Sequence, residues 1–174
     1  MATRKTAMFT LTERITLSTT NETFATIDLG SYVDVGDRQA LQVHSVDFIF
    51  QGTTAAGEIN GSMGANGTVH VQVTDLNRGG LVFANDRALV ASGQLVLDTD
   101  GFLASSSDQF PDNFGKGADD GRYVVNDQLY ISALTTALAG AQSVNVTARV
   151  NCSIVTLSAK DFMAIAIQST AADN

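Results

Sequence analysis

From Gln142 to Thr156, apolar Val144, Val146, Ala148, Val150, Cys152 and Ile154 alternate without a break with Asn145, Thr147, Arg149, Asn151 and Ser153. Side chains repeat every two residues on a strand and every 3.6 on a helix, so this pattern makes one apolar face only in a long β-strand. Wound as a helix, the same residues would be scattered around the whole circumference. A strand of this kind needs others to pair with, so the chain is a β-protein.

Further strands follow from the same period. Phe9, Leu11, Ile15 and Leu17 alternate with Thr10, Thr12, Arg14 and Thr16, with Glu13 as a charged interruption, and Phe24 to Leu29 is a second candidate. From Leu41 to Phe50 the apolar parity switches around His44-Ser45, which predicts a β-bulge. Gly52 to Gly67 has no apolar period and reads as a loop. Val69, Val71 and Val73 mark a strand that ends at the turn Asn77-Arg78-Gly79-Gly80. Leu81 to Leu97 is ambiguous: Asp86 is placed to cap a short helix through Ala91, whereas Gln94 to Leu97 looks extended. Asp98 to Arg122, with the single proline Pro111 and several glycines, reads as the longest irregular section and as a candidate contact surface. Tyr123 to Ala133 resumes strand character, and Leu134 to Ala139 fits one helical turn. Lys160 to Ser169 is apolar at both parities, through Phe162, Ala164 and Ala166 and through Met163, Ile165 and Ile167, which predicts a strand buried on both faces. The count is about eight strands with uneven loops and no repeat. That predicts an all-β, eight-stranded antiparallel β-sandwich of jelly-roll type, a single domain over residues 1–174 with 1–7 as a flexible N-terminal segment.

Composition narrows the function. At 174 residues the chain suits one domain, and a domain of that size buries roughly 70% of its unfolded surface without metal or disulfides. The single Cys152 falls on the apolar side of its strand, as a small core residue does. The net charge is −8, and the ten Lys and Arg residues are dispersed with no block longer than Arg4-Lys5. Nucleic-acid binding draws on clustered cations, so direct nucleic-acid contact is expected to be weak or absent. The N-terminus lacks the apolar run of a secretory signal and no stretch reaches transmembrane length, so synthesis in a cytoplasm is expected. The Asn-x-Ser/Thr sequons at Asn21, Asn60, Asn66, Asn145 and Asn151 follow from an Asn- and Thr-rich composition, and two of them lie within the long strand.

Little here points to catalysis. The two histidines, His44 and His70, fall at polar-face strand positions and match no metal motif. Gly57 to Gly67 is Gly-rich but lacks a Gly-Lys-Ser/Thr ending and leads into a strand, so it is no phosphate loop. Asp98-Thr99-Asp100-Gly101 resembles the start of a calcium loop, which makes Asp98, Asp100, Asp119 and Asp120 candidate calcium ligands, with Asp108 and Asp112 nearby. Against calcium, Phe102 stands where a third ligand is expected and no Glu closes the loop. Asx hydrogen bonding in turns is the competing role. No nucleophile elbow, Cys-x-x-Cys pair or His-Glu-x-x-His helix is present, so no catalytic residue and no cofactor is assigned.

The strand count and spacing, the segment Tyr32-Val33-Asp34-Val35-Gly36-Asp37-Arg38-Gln39-Ala40-Leu41 leading into a long strand, and the apolar stretch Asp161 to Thr170 resemble small single jelly-roll capsid proteins of icosahedral viruses. The resemblance implies a structural protein, made in a host cytoplasm and located in the virion, whose copies tile a shell through loop and strand-edge contacts. Other virion proteins would be possible partners. Such proteins often carry an Arg-rich N-terminal arm, and here only Arg4 and Lys5 stand in that place. Phe102, Phe110 and Phe114 in the long loop, with Phe162, Met163, Ile165 and Ile167, are the candidate subunit contacts. Two other classes stay open: a phage tail, decoration or lectin-like binding module working through residues 98–122, and an enzyme using His44, His70 or a carboxylate.

Overall fold

The computed structural model describes residues 2–53, 57–110 and 121–170, and among these the chain forms ten strands and one helix. In chain order they are β1 Thr3–Arg4, β2 Phe9–Leu17, β3 Thr23–Asp28, β4 Gln39–Gly52, β5 Thr68–Thr74, β6 Leu89–Leu97, β7 Leu103–Phe110, β8 Arg122–Val124, β9 Gln128–Thr135, β10 Val144–Thr156 and α1 Ala159–Thr170.

Two five-stranded antiparallel sheets result. One runs β2-β10-β4-β8, with β1 continuing the edge of β10 beyond β2; the other runs β3-β9-β5-β6-β7. The pairing is nested: β2 with β10, β3 with β9, β4 with β8 and β5 with β6, the ladder of one long folded hairpin. Rolling that hairpin brings β10 against β4 and β9 against β5, which closes the two sheets. This is the jelly roll, with β1 and β7 added to its eight strands.

The core between the sheets is built from the inward parity of each strand: Ile15 and Leu17, Val43 and Val46, Val69, Val71 and Val73, Leu129 and Ile131, and Val144 through Cys152. The predicted bulge is present. Asn151 faces Ser45 and Cys152 faces Val43, so His44 is the extra residue, and the parity of β4 flips there.

Five readings change or are resolved. Lys160 to Ser169 is helix, not a doubly buried strand. A run apolar at every position fits either element, and Ser158 decides: its hydroxyl accepts the Asp161 N–H at 3.2 Å and contacts Asp161 Oδ2 at 2.7 Å, an N-terminal capping arrangement. Of the two readings open at Leu81 to Leu97, the extended one holds from Leu89 onward, where Leu89 to Gly93 is buried on both faces inside β6. The section 98–122 is not irregular throughout, since Leu103–Phe110 forms β7. Leu134 to Ala139 is not a helical turn, since Leu134 and Thr135 end β9. Tyr123 to Ala133, read as one strand, is two, with Asn126 and Asp127 carrying the chain from one sheet to the other. The N-terminal segment lies along β10: Lys5 N–H donates to Ile154 O at 2.8 Å, and Ile154 N–H donates to Thr6 Oγ1 at 3.0 Å.

Candidate subunit-contact surfaces

Helix α1 adds a layer outside the sandwich. Past the bulge, Ala40, Val155 and Leu157 form a second apolar cluster with Val125, and Phe162 is buried on it, with Ile165 and Ala166 half-buried beside it. Of the sequence candidates, Phe162 and Ile165 therefore hold the helix to its own chain. Met163 and Ile167, one helical turn apart, face the other way and stay 59% and 62% exposed.

At the other end of β4 lies a second patch. The β6–β7 turn is pinned by Asp98, whose Oδ1 accepts the N–H of Asp100 at 3.0 Å and of Phe102 at 2.8 Å, while Asp98 N–H donates to Phe102 O at 2.9 Å. Gly101, at φ 80°, makes the left-handed step that closes it. The turn leaves Phe102 and Leu103 64% and 60% exposed, at the rim of a cavity of about 380 Å³ that also involves Phe50, Ile59, Leu95 and Leu97. Leu103 to Ser106 of β7 are exposed on both faces of the strand. Ala40, under α1, and Phe50, beside this cavity, are ten residues apart on one strand, about 33 Å.

The other candidates are placed less fully. Phe110 ends β7, with its backbone opposite Ser92. Phe114, Asp112, Asp119 and Asp120 lie outside the described residues. Asp98 serves as a turn acceptor, and among the described residues no three His, Cys, Asp or Glu side chains gather as a metal site.

Two polar arrangements went unseen in the sequence. His44 Nε2 lies 2.9 Å from Ser153 Oγ, which lies 3.4 Å from Gln42 Oε1. A His beside a Ser has the make-up of a base and its nucleophile, but Ser153 is fully buried, so the trio bridges strands instead of facing a substrate. Burial, then the charge of Arg4, lowers the His44 pKa. The second arrangement is an ion pair. Asp75, only 2% exposed, accepts from Arg122 Nη2 at 3.0 Å, and Arg122 also donates to the carbonyl of Arg87. Burial pushes the Asp75 carboxyl up, and Arg122 opposes the shift. Asp75 Oδ1 and the Nε atoms of Arg122 and Arg78 are buried without a partner among the described residues. Charged residues far apart in sequence give no pattern that pairs them, so only the fold shows this contact.

Comparisons with known proteins add a likeness among solved structures. No protein-family model matches the chain, and no curated protein matches it. The chain is similar to a viral capsid protein. Merkel cell polyomavirus VP1 in complex with GD1a oligosaccharide matches at a TM-score of 0.39 and 11% identity, over 79% of this chain and 78% of that one. The unassembled pentamer of the same VP1 matches at 0.38 and 10%, over 79% and 78%.

Proposed function

We propose that this protein is a structural, non-catalytic subunit whose copies assemble into an icosahedral virion shell. The observation that carries the reading is the pair of uncovered apolar patches on a jelly roll: Met163 and Ile167 on α1, and Phe102 and Leu103 beside β7. A closed shell joins one surface of a copy to a different surface of the next, so two separated patches suit it. Exposed large apolar side chains in groups mark contact sites more often than they mark free surface. Phe110 and Phe114 join the same proposal on their sequence positions alone. The negative charge and the short Arg4-Lys5 pair leave genome neutralisation to other virion components. The subunit is made in the host cytoplasm before it enters the shell.

Light scattering and electron microscopy of the purified protein across a salt series test this. Closed particles or regular rings are expected. Paired charges at Met163→Glu with Ile167→Glu, or at Phe102→Glu with Leu103→Glu, should stop assembly while leaving the melting temperature nearly unchanged. A strictly monomeric wild-type protein under every condition would overturn self-driven assembly and move the binding-module reading to first place.

A further inference from the structure

The outer face of the β3-β9-β5-β6-β7 sheet carries a built cavity. The segment following β5 is held at three points, two on β5 and one just before β3: Val82 N–H donates to Gln72 Oε1 at 2.7 Å, Gln72 Nε2 returns a bond to Val82 O at 2.8 Å, and Leu81 N–H donates to Glu22 Oε1 at 3.0 Å. Between this strap and the sheet is an open cavity of about 450 Å³. That is within the size range of sites for small organic ligands.

Its lining sets the ligand chemistry. Phe24, 54% exposed on the edge strand, and Tyr130, diagonal to it on β9, present aromatic rings. Thr26 and Ser132 stand opposite Tyr130 and Phe24, so all four side chains share the outer face. Ser132 is only 5% exposed and lines the cavity, which places its hydroxyl at the cavity wall. Asn77 fixes the strap by accepting Gly79 N–H at 3.0 Å, which leaves its amide NH₂ to donate. The one cation of that lining, Arg78, pairs through Nη2 with Asp86 at 3.0 Å, while its Nε is a buried donor without a partner among the described residues.

We infer that this cavity binds a neutral, polyhydroxylated ring of hexose size, the ring stacked on Phe24 or Tyr130 and its hydroxyls bonded to Ser132, Thr26 and Asn77. A sugar ring has an apolar C–H face that suits an aromatic surface and a polar rim that suits these donors and acceptors. An apolar side chain of a protein partner fits less well, because it would offer no hydrogen bond to Arg78 Nε or to the Ser132 and Thr26 hydroxyls that it covered. An acidic sugar fits less well because the lining's one cation already has Asp86 as its counter-ion, which leaves Arg78 Nε as a donor to a neutral hydroxyl. The inference stands apart from shell assembly.

Ligand-observed saturation-transfer NMR works on free subunits and on assembled particles alike. The probes are the methyl α- and β-pyranosides of glucose, galactose and mannose, N-acetylneuraminic acid, and p-cresol. At least one hexoside is expected to bind in the millimolar range, and Phe24→Ser and Ser132→Ala should each weaken it by about ten-fold, roughly one lost contact. Both sites are a surface aromatic and a small hydroxyl, so unchanged melting temperatures should accompany the loss. Three results would each overturn the inference: no transfer to any hexoside at about 20 mM, far above that range; equal transfer in both variants; or tighter binding of N-acetylneuraminic acid or p-cresol than of every hexoside.

Discussion

Arg122 and Asp75 show how much one residue can carry. Their carboxylate and guanidinium join the residue just after β5 to the first residue of β8, and Asp75 is almost wholly out of water. Truncating Arg122 to Ala leaves a buried charge without its counter-ion, so a loss of about 3 kcal/mol is expected from chemical denaturation, the low end for an orphaned buried ion. The pH dependence has a definite sign. Asp75 already has its carboxyl raised in the folded state, and losing Arg122 raises it further. The folded variant then holds a proton that the unfolded chain releases, so its deficit should shrink as pH falls from above the raised folded value toward the unfolded carboxylate range. A deficit that grows in acid would contradict this. His44 has the opposite sense: its lowered pKa means the unfolded chain takes up a proton first, so its contribution fades as pH falls through the unfolded value. At Cys152, burial pushes the thiol up to about 12. The thiolate is the reactive form, so the native protein should resist a disulfide-exchange reagent that modifies the unfolded chain readily.

Elements stand or fall on a few local devices. Helix α1 starts at Ser158, and Ser158→Ala should cost about 1 kcal/mol and speed proteolysis at the C-terminus, read by melting and limited digestion. The Ser158 bond also holds the Asp161 carboxyl below its ordinary range, so this helix start should loosen in acid. The bulge at His44 is a second device. Deleting that residue would send Val46, Phe48 and Phe50 to the outer face and Asp47 into the core, so no stable fold is expected by circular dichroism. At β8, Gly121 has φ 141° and a Cβ there would sit 2.6 Å from Val43 O, which explains a glycine where β8 meets β4.

On the scale of the whole molecule, charge and apolar surface pull in opposite directions. Under the proposed assembly, the net charge of −8 would make copies repel at low salt, while Met163, Ile167, Phe102 and Leu103, all exposed, would favour contact. Raising ionic strength shortens the Debye length from about 30 Å at 0.01 M to about 3 Å at 1 M, so the assembled fraction should rise with salt. Assembly driven by a polyanion would weaken instead, with the slope that counter-ion release imposes. Light scattering across that range separates the two.

Alternation along the chain was enough to find β2, β5, β10 and the bulge in β4, because which face a strand residue takes is a local property of the backbone. It was also enough to place Cys152 in the core and to argue for a jelly roll from strand number and spacing. It could not separate helix from strand at Lys160 to Ser169, where every position is apolar and the deciding contact is between Ser158 and Asp161. Nor could it find β7, whose Ala104 to Ser107 stretch has no apolar period and is held by its pairing with β6. The nested strand order, the Asp75–Arg122 pair, the outward face of α1 and the cavity beside Phe24 depend on residues tens of positions apart. Local propensity carries no term for such contacts; the free energy of packing the two sheets does, and that is why only the tertiary structure decided them.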